Sequence, residues 1–127
     1  MRFLNIVTVD ESLRDIQPPP ALFEAMGRLM EETTKDGTLL DTGGLMPSSA
    51  GARVSVQGGQ LTVVDGPFAE GREVVGGWAF MQARSKAEAV EQARRFMQIH
   101  IDHWPDFEGT CEVRQVEDGP QAVDGAS

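Results

Sequence analysis

A chain of 127 residues and 13.8 kDa accommodates one domain, with no second core of comparable weight. Its 40% hydrophobic and 24% charged residues, at a mean hydropathy of -0.26, exclude both a disordered and a membrane-embedded chain. Eleven basic against twenty acidic side chains leave a formal charge of -9 and a pI near 4.6, and no basic patch offsets the repulsion of nucleic-acid phosphates or anionic lipid, so neither partner is expected.

The amino terminus reaches Asp10-Glu11 after a short apolar run and lacks the stretch of a signal peptide or spanning helix, so a cytoplasmic location is expected. Phe3 to Val9 reads as a strand with both faces at least partly covered. Pro18-Pro19-Pro20 then stiffens the approach to a helix, since proline is tolerated in a first turn where its missing N–H would be unpaired anyway. Leu22, Met26, Leu29, Met30 and Thr33 follow at helical spacing, and Gly37 supplies a left-handed stop, which predicts a helix over 20–36. Leu39 and Leu40 begin a short strand running into Gly43-Gly44.

Arg53 to Gln57 and Gln60 to Val64 flank Gly58-Gly59, a pair suited to the positive φ angles of a type I′ turn. That register sets Val56 beside Leu61 and Val54 beside Val63, giving the hairpin one dry side and one wet side. Gly76 to Ala83 reads as a further strand. Ser85-Lys86-Ala87-Glu88 matches a capping box, and Val90, Ala93, Met97, Ile101 and Trp104 form the apolar stripe of a helix ended by Pro105. A last strand, Cys111 to Val116, closes a domain over 1–117, and 118–127 reads as a flexible tail. Cys111 is the only cysteine, which excludes an intrachain disulfide and suits a reducing compartment; a buried structural thiol is expected.

Without the hairpin, the order is βαββαβ, the split unit of ferredoxin-like folds. The expected fold is therefore α+β, with an antiparallel sheet, both helices on one face and an inserted β-hairpin. The other face of so apolar a sheet needs cover, which predicts a homodimer whose two sheets meet.

Gly43-Gly44-Leu45-Met46-Pro47-Ser48-Ser49, Asp65-Gly66-Pro67-Phe68-Ala69-Glu70, Gly76-Gly77-Trp78, Ser85-Lys86-Ala87-Glu88-Ala89 and Glu112-Val113-Arg114-Gln115-Val116 stand in one collinear order. Together they resemble the YCII-related family, in the branch marked by its Asp-Gly-Pro-Phe motif. The resemblance implies a dimeric α+β barrel. It also implies kinship with mostly uncharacterised bacterial proteins, some found alongside extracytoplasmic-function sigma factors, and with a few small-molecule enzymes that use a His/Asp acid-base pair. The histidine that the central branch carries in its first helix has no counterpart between Pro20 and Asp36.

Asp65 is either a turn-fixing carboxylate or a proton acceptor at a cleft mouth. His100, near the centre of the second helix's stripe, is either a core imidazole or a general base oriented by Asp65. Arg53, Glu70, Trp78 and His103 are further candidates for contact with a ligand. His100-x-x-His103 lacks a marked third ligand, so no metal or other cofactor is expected. Two functions follow: a dimeric small-molecule-binding or regulatory module, with a sigma-factor-linked partner implied by the resemblance, or a lyase, isomerase or dehydrohalogenase using Asp65 and His100.

Overall fold

A computed structural model describes residues 1–10, 12, 17–68 and 73–117. The elements run β1 (Arg2–Asp10), α1 (Pro20–Lys35), β2 (Leu39–Gly44), β3 (Ala52–Gln57), β4 (Gln60–Asp65), β5 (Glu73–Gln82), α2 (Lys86–His103) and β6 (Gly109–Gln115), with a 3-10 turn at Ser48–Ala50. Four strands form one sheet in the order β2-β5-β1-β6, antiparallel at every pairing. β3 and β4 form a separate two-stranded sheet. The result is an α+β chain with two helices and antiparallel sheets, compatible with a ferredoxin-like fold. The expected tail, 118–127, lies outside the described residues, and no described helix is long and apolar enough to cross a membrane.

The local signals act as their chemistry predicts. α1 has proline at its first positions and ends before Gly37, whose φ of 83° carries the chain out of the helix. Gly58 and Gly59 take φ of 56° and 78°, and the predicted pairs Val56–Leu61 and Val54–Val63 form. At α2 the Ser85 hydroxyl accepts from the Glu88 N–H at 3.1 Å. The reciprocal half of the box lies one residue earlier than predicted, because Glu88 accepts from the Arg84 backbone N–H at 3.1 Å and its Nε at 2.8 Å.

Two expectations about burial need correction. Among the described residues nothing gives the hairpin a dry side: Val54, Val56, Leu61 and Val63 are between 64% and 71% exposed. Its strands pair only with each other, so nothing in the main sheet covers them. The buried stripe of α2 is also rotated from the predicted one. Ala89, Ala93 and His100 are buried, whereas Ile101 is 66% exposed. Two alanines one turn apart let the helix backbone approach the sheet closely, and this contact sets the helix's rotation ahead of its larger side chains.

Strand pairing places Phe3, Asn5, Val7 and Val9 of β1 on the face toward the helices, beside Met81, Ala79 and Gly77 of β5. Phe3, Ala83 and Ala89 make the tight core at one end of this layer, with Val113 packed against them. Leu4, Ile6, Trp78 and Phe80 belong to the opposite face, where the Arg2 guanidinium lies 5.5 Å from the centre of the Phe80 ring.

Candidate ligand-binding cavity

The helix-facing layer is filled at its Phe3 end and open at the other. Across the sheet, one row reads Gly44, Gly77, Val7, Cys111, and the next reads Thr42, Ala79, Asn5, Val113. The paired glycines of β2 and β5 contribute no side chain, so α1 and α2 rest above a void. The resulting cavity has a volume of about 540 Å³, within the range of small-molecule sites.

Each wall comes from one element. α1 contributes Met26, Leu29, Met30 and Thr33, most of the stripe predicted for it, and α2 contributes Gln92, Arg95, Phe96 and His100. Asn5, Val7 and Val9 line the floor. On the outer face of the sheet the Trp78 ring lies over position 43, where a Cβ would stand 3.0 Å from the indole Cε2. Phe107 lies against His100 at 4.5 Å, centre to centre, with the rings tilted by 41°, and His100 also meets Phe96 edge-on at 4.8 Å.

Polar groups in this wall are few. Asn5 is 6% exposed, and its Oδ1 has no hydrogen-bond partner. Gln92 donates from Nε2 to the Gln82 carbonyl at 3.2 Å, which fixes the sense of its amide and leaves the buried Oε1 unpartnered. His100 Nδ1 donates to the Phe96 carbonyl at 3.1 Å, so Nε2 is the acceptor of the neutral ring. Burial pulls the His100 pKa below its ordinary value, partly offset by that hydrogen bond. Burial likewise raises the pKa of the half-buried Cys111 thiol, keeping it protonated and unreactive. Arg95 is held by Glu32 across the two helices, and this bond keeps the Glu32 carboxyl below its usual range.

Two sequence-predicted site residues, His100 and Trp78, border this cavity, Trp78 through its strand position while its ring lies on the outer sheet face. Asp65, Arg53 and His103 do not. Asp65 ends β4, exposed and paired with Ala52, and the Arg53 guanidinium sits 4.1 Å from the centre of the Phe68 ring. His103 ends α2, half-buried. Glu70 lies outside the described residues. Among the described residues no group of three or more His, Cys, Asp or Glu is placed to hold a metal. Sequence reasoning missed Asn5 and Gln92, although each left a trace. Asn5 is the one polar residue in the alternation Phe3, Asn5, Val7, Val9, and Gln92 falls within the buried stripe from Ala89 to His100.

A family model for the YCII-related domain matches residues 1–118. The chain belongs to the YCII-related family. Among curated proteins none matches it. In this YCII-related chain the Asp-Gly-Pro-Phe segment has a structural explanation. Gly66 donates its backbone N–H to the Gly51 carbonyl at 2.9 Å, and a Cβ on Gly66 would lie 1.8 Å from the Ser48 carbonyl oxygen. The motif's glycine therefore lets the end of β4 close against the 3-10 turn.

The imidazole of this YCII-related chain makes a pH prediction. The folded pKa of His100 lies below the unfolded value of about 6.5, so the unfolded chain binds more protons as pH falls past that point. Stability from the neutral ring is complete above about pH 6.5 and is lost on descent toward the folded pKa. The melting temperature should fall over that window, and His100→Phe should remove this part of the slope. Identical slopes in wild type and variant would refute the assignment.

Proposed function

We propose that the chain is a small-molecule-binding module of the Asp-Gly-Pro-Phe branch of its family, acting as a homodimer, with the β3–β4 hairpin as an insertion in a ferredoxin-like unit. The observation that carries the reading is the cavity between sheet and helices, mostly apolar, with the polar side chains Asn5, Gln92 and His100 among the residues that line it. A core built for stability alone would place neither Asn5 nor Gln92 there, because each leaves a buried acceptor without a partner. Acid-base catalysis by Asp65 and His100 has less support: His100 lines the cavity, but among the described residues no carboxylate does. The dimer is supported by the exposed valines and leucine of the hairpin and by the apolar outer sheet face of Leu4, Ile6, Trp78 and Phe80. A binding module also suits the sigma-factor-linked regulatory setting that the family resemblance suggests.

A thermal-shift screen of neutral, anionic and cationic small molecules tests the reading, with Gly44→Val as control. A Cβ at Gly44 meets only the Gly76 carbonyl at 3.9 Å, so valine should be tolerated while its methyls enter the cavity. A hit at a hundred times its Kd should stabilise the wild type by about 2.7 kcal/mol. Gly44→Val should melt no lower than wild type and lose most of that gain. A screen without hits, or hits unaffected by Gly44→Val, would overturn the site, and a scattering mass of 13.8 kDa at micromolar concentration would overturn the dimer.

A further inference from the structure

Asn5 stands in the middle of the cavity floor, where the register surrounds it with apolar groups. Ala79 lies on one side of it and Val113 on the other, with Phe3 and Val7 next along the same strand face. Beyond Ala79 the row reaches Thr42, whose hydroxyl is turned onto the Trp78 carbonyl at 2.8 Å. Neither atom of the Asn5 amide therefore has a hydrogen-bond partner among the described residues. The two atoms differ in access. Oδ1 is sealed off, whereas the unbonded Nδ2 keeps accessible surface, and Asn5 lines the cavity. A donor left unpaired in a side chain only 6% exposed is satisfied by an acceptor that arrives with the ligand.

The other polar side chains of this layer are committed elsewhere. Thr33 Oγ1 donates to the Leu29 carbonyl at 2.7 Å, and Gln92 Nε2 reaches the Gln82 carbonyl while its Oε1 is sealed off. His100 spends its Nδ1 proton on the Phe96 carbonyl, so its neutral ring has no proton to offer a carbonyl group. Arg95 is the one charged residue among those lining the cavity, and Glu32 matches its charge. An anion would have to draw Arg95 from that partner inside a chain of net charge -9. A cation would find no carboxylate among the described lining residues. The rest of the lining, Leu29, Met30, Met81, Phe96 and Phe107 among it, is apolar.

We propose that the cavity takes a neutral, mostly apolar molecule bearing a carbonyl-type oxygen, which accepts a hydrogen bond from Asn5 Nδ2. The proposal rests on the binding reading above and assigns that site its ligand class. Asn5 is then a specificity-determining residue, kept in the floor for the ligand at some cost to the empty fold.

Three naphthalenes of near-equal shape test this by calorimetric titration near neutral pH: 2-acetylnaphthalene, a ketone; 2-isopropenylnaphthalene, in which a methylene replaces the oxygen; and the anion 2-naphthoate. The wild type should bind the ketone and should bind the carboxylate most weakly. Asn5→Leu, close to asparagine in size, should lower the ratio of ketone to alkene affinity by about tenfold while the alkene still binds. Taking that ratio in both proteins cancels the alkene's greater hydrophobicity. Without ligand, Asn5→Leu should melt no lower than wild type, since it replaces a buried amide that has no partner. Asn5→Val, which cannot overpack the row, should lose the ketone preference in the same way. An unchanged ratio in both variants, tighter binding of naphthoate than of ketone, or lowered melting of both variants would overturn the ligand class and leave the cavity as a binding site. Failure of all three probes would also overturn it, and the broader thermal screen with Gly44→Val then decides the binding reading independently.

Discussion

Phe3→Ala should destabilise the chain by about 3–5 kcal/mol, the range for truncating a fully buried phenylalanine. Phe3 is 1% exposed and is the largest side chain buried to that degree. It sits in the central strand β1 between Met81 of β5 and Gln115 of β6, beneath the close contact of Ala89 with the sheet. Backbone ladders on both sides hold β1 in place, so the vacated space has little means of collapsing and most of the cavity cost should persist. Against a total of roughly 5–15 kcal/mol for a domain, this is enough to leave a visible unfolded fraction. Thermal and urea melts check it. Should the alanine variant fail to fold, Phe3→Leu, which leaves a smaller void, should fold with a lowered denaturation midpoint. A Phe3→Ala midpoint within experimental error of the wild type would show that the tight end of the layer is elsewhere.

Gly66→Ala is expected to be the most damaging alanine replacement among the described glycines. Its Cβ would lie 1.8 Å from the Ser48 carbonyl oxygen and 2.7 Å from the carbonyl carbon, both backbone atoms that cannot rotate aside. The 3-10 turn must retreat, stretching the bond from Gly66 N–H to the Gly51 carbonyl. Overpacking of this kind costs about 1–3 kcal/mol and sometimes more. Gly51→Ala is the matched control. Its Cβ would meet Ser48 O at 3.5 Å, an ordinary contact, and its φ of -115° suits any residue. The control should melt within about 0.5 kcal/mol of wild type. Equal melting of the two variants would mean that close approach is not why the motif holds glycine.

Much of this fold was legible in the sequence because its punctuation is chemically unambiguous. Pro20 and Gly37 bound α1, Ser85 opens α2, and Gly58-Gly59 fixes a hairpin register that the structure reproduces pair for pair. The rotation of α2 was not legible, since apolar periodicity counts Ile101 as readily as Ala89 and is silent about which contact is closest. The site was half legible. His100 advertises itself by side-chain type, whereas the void beside it is made by glycines at 44 and 77, residues that read as turn or bulge signals. Asp65 drew attention through its motif, but the structure gives the motif's conformational role to the neighbouring Gly66.

The placement of those glycines separates two properties that proteins often entangle. Along β1 and β5, the tight contacts of Phe3, Ala83 and Ala89 lie at one end, and the empty row of Gly44 and Gly77 lies at the other. A substitution at position 44 therefore trims the space above the sheet without disturbing the packing on which folding depends. Selectivity by size is set by a single cross-strand row of a rigid scaffold, so a lineage could retune what it accepts by successive small replacements there while the architecture stayed fixed.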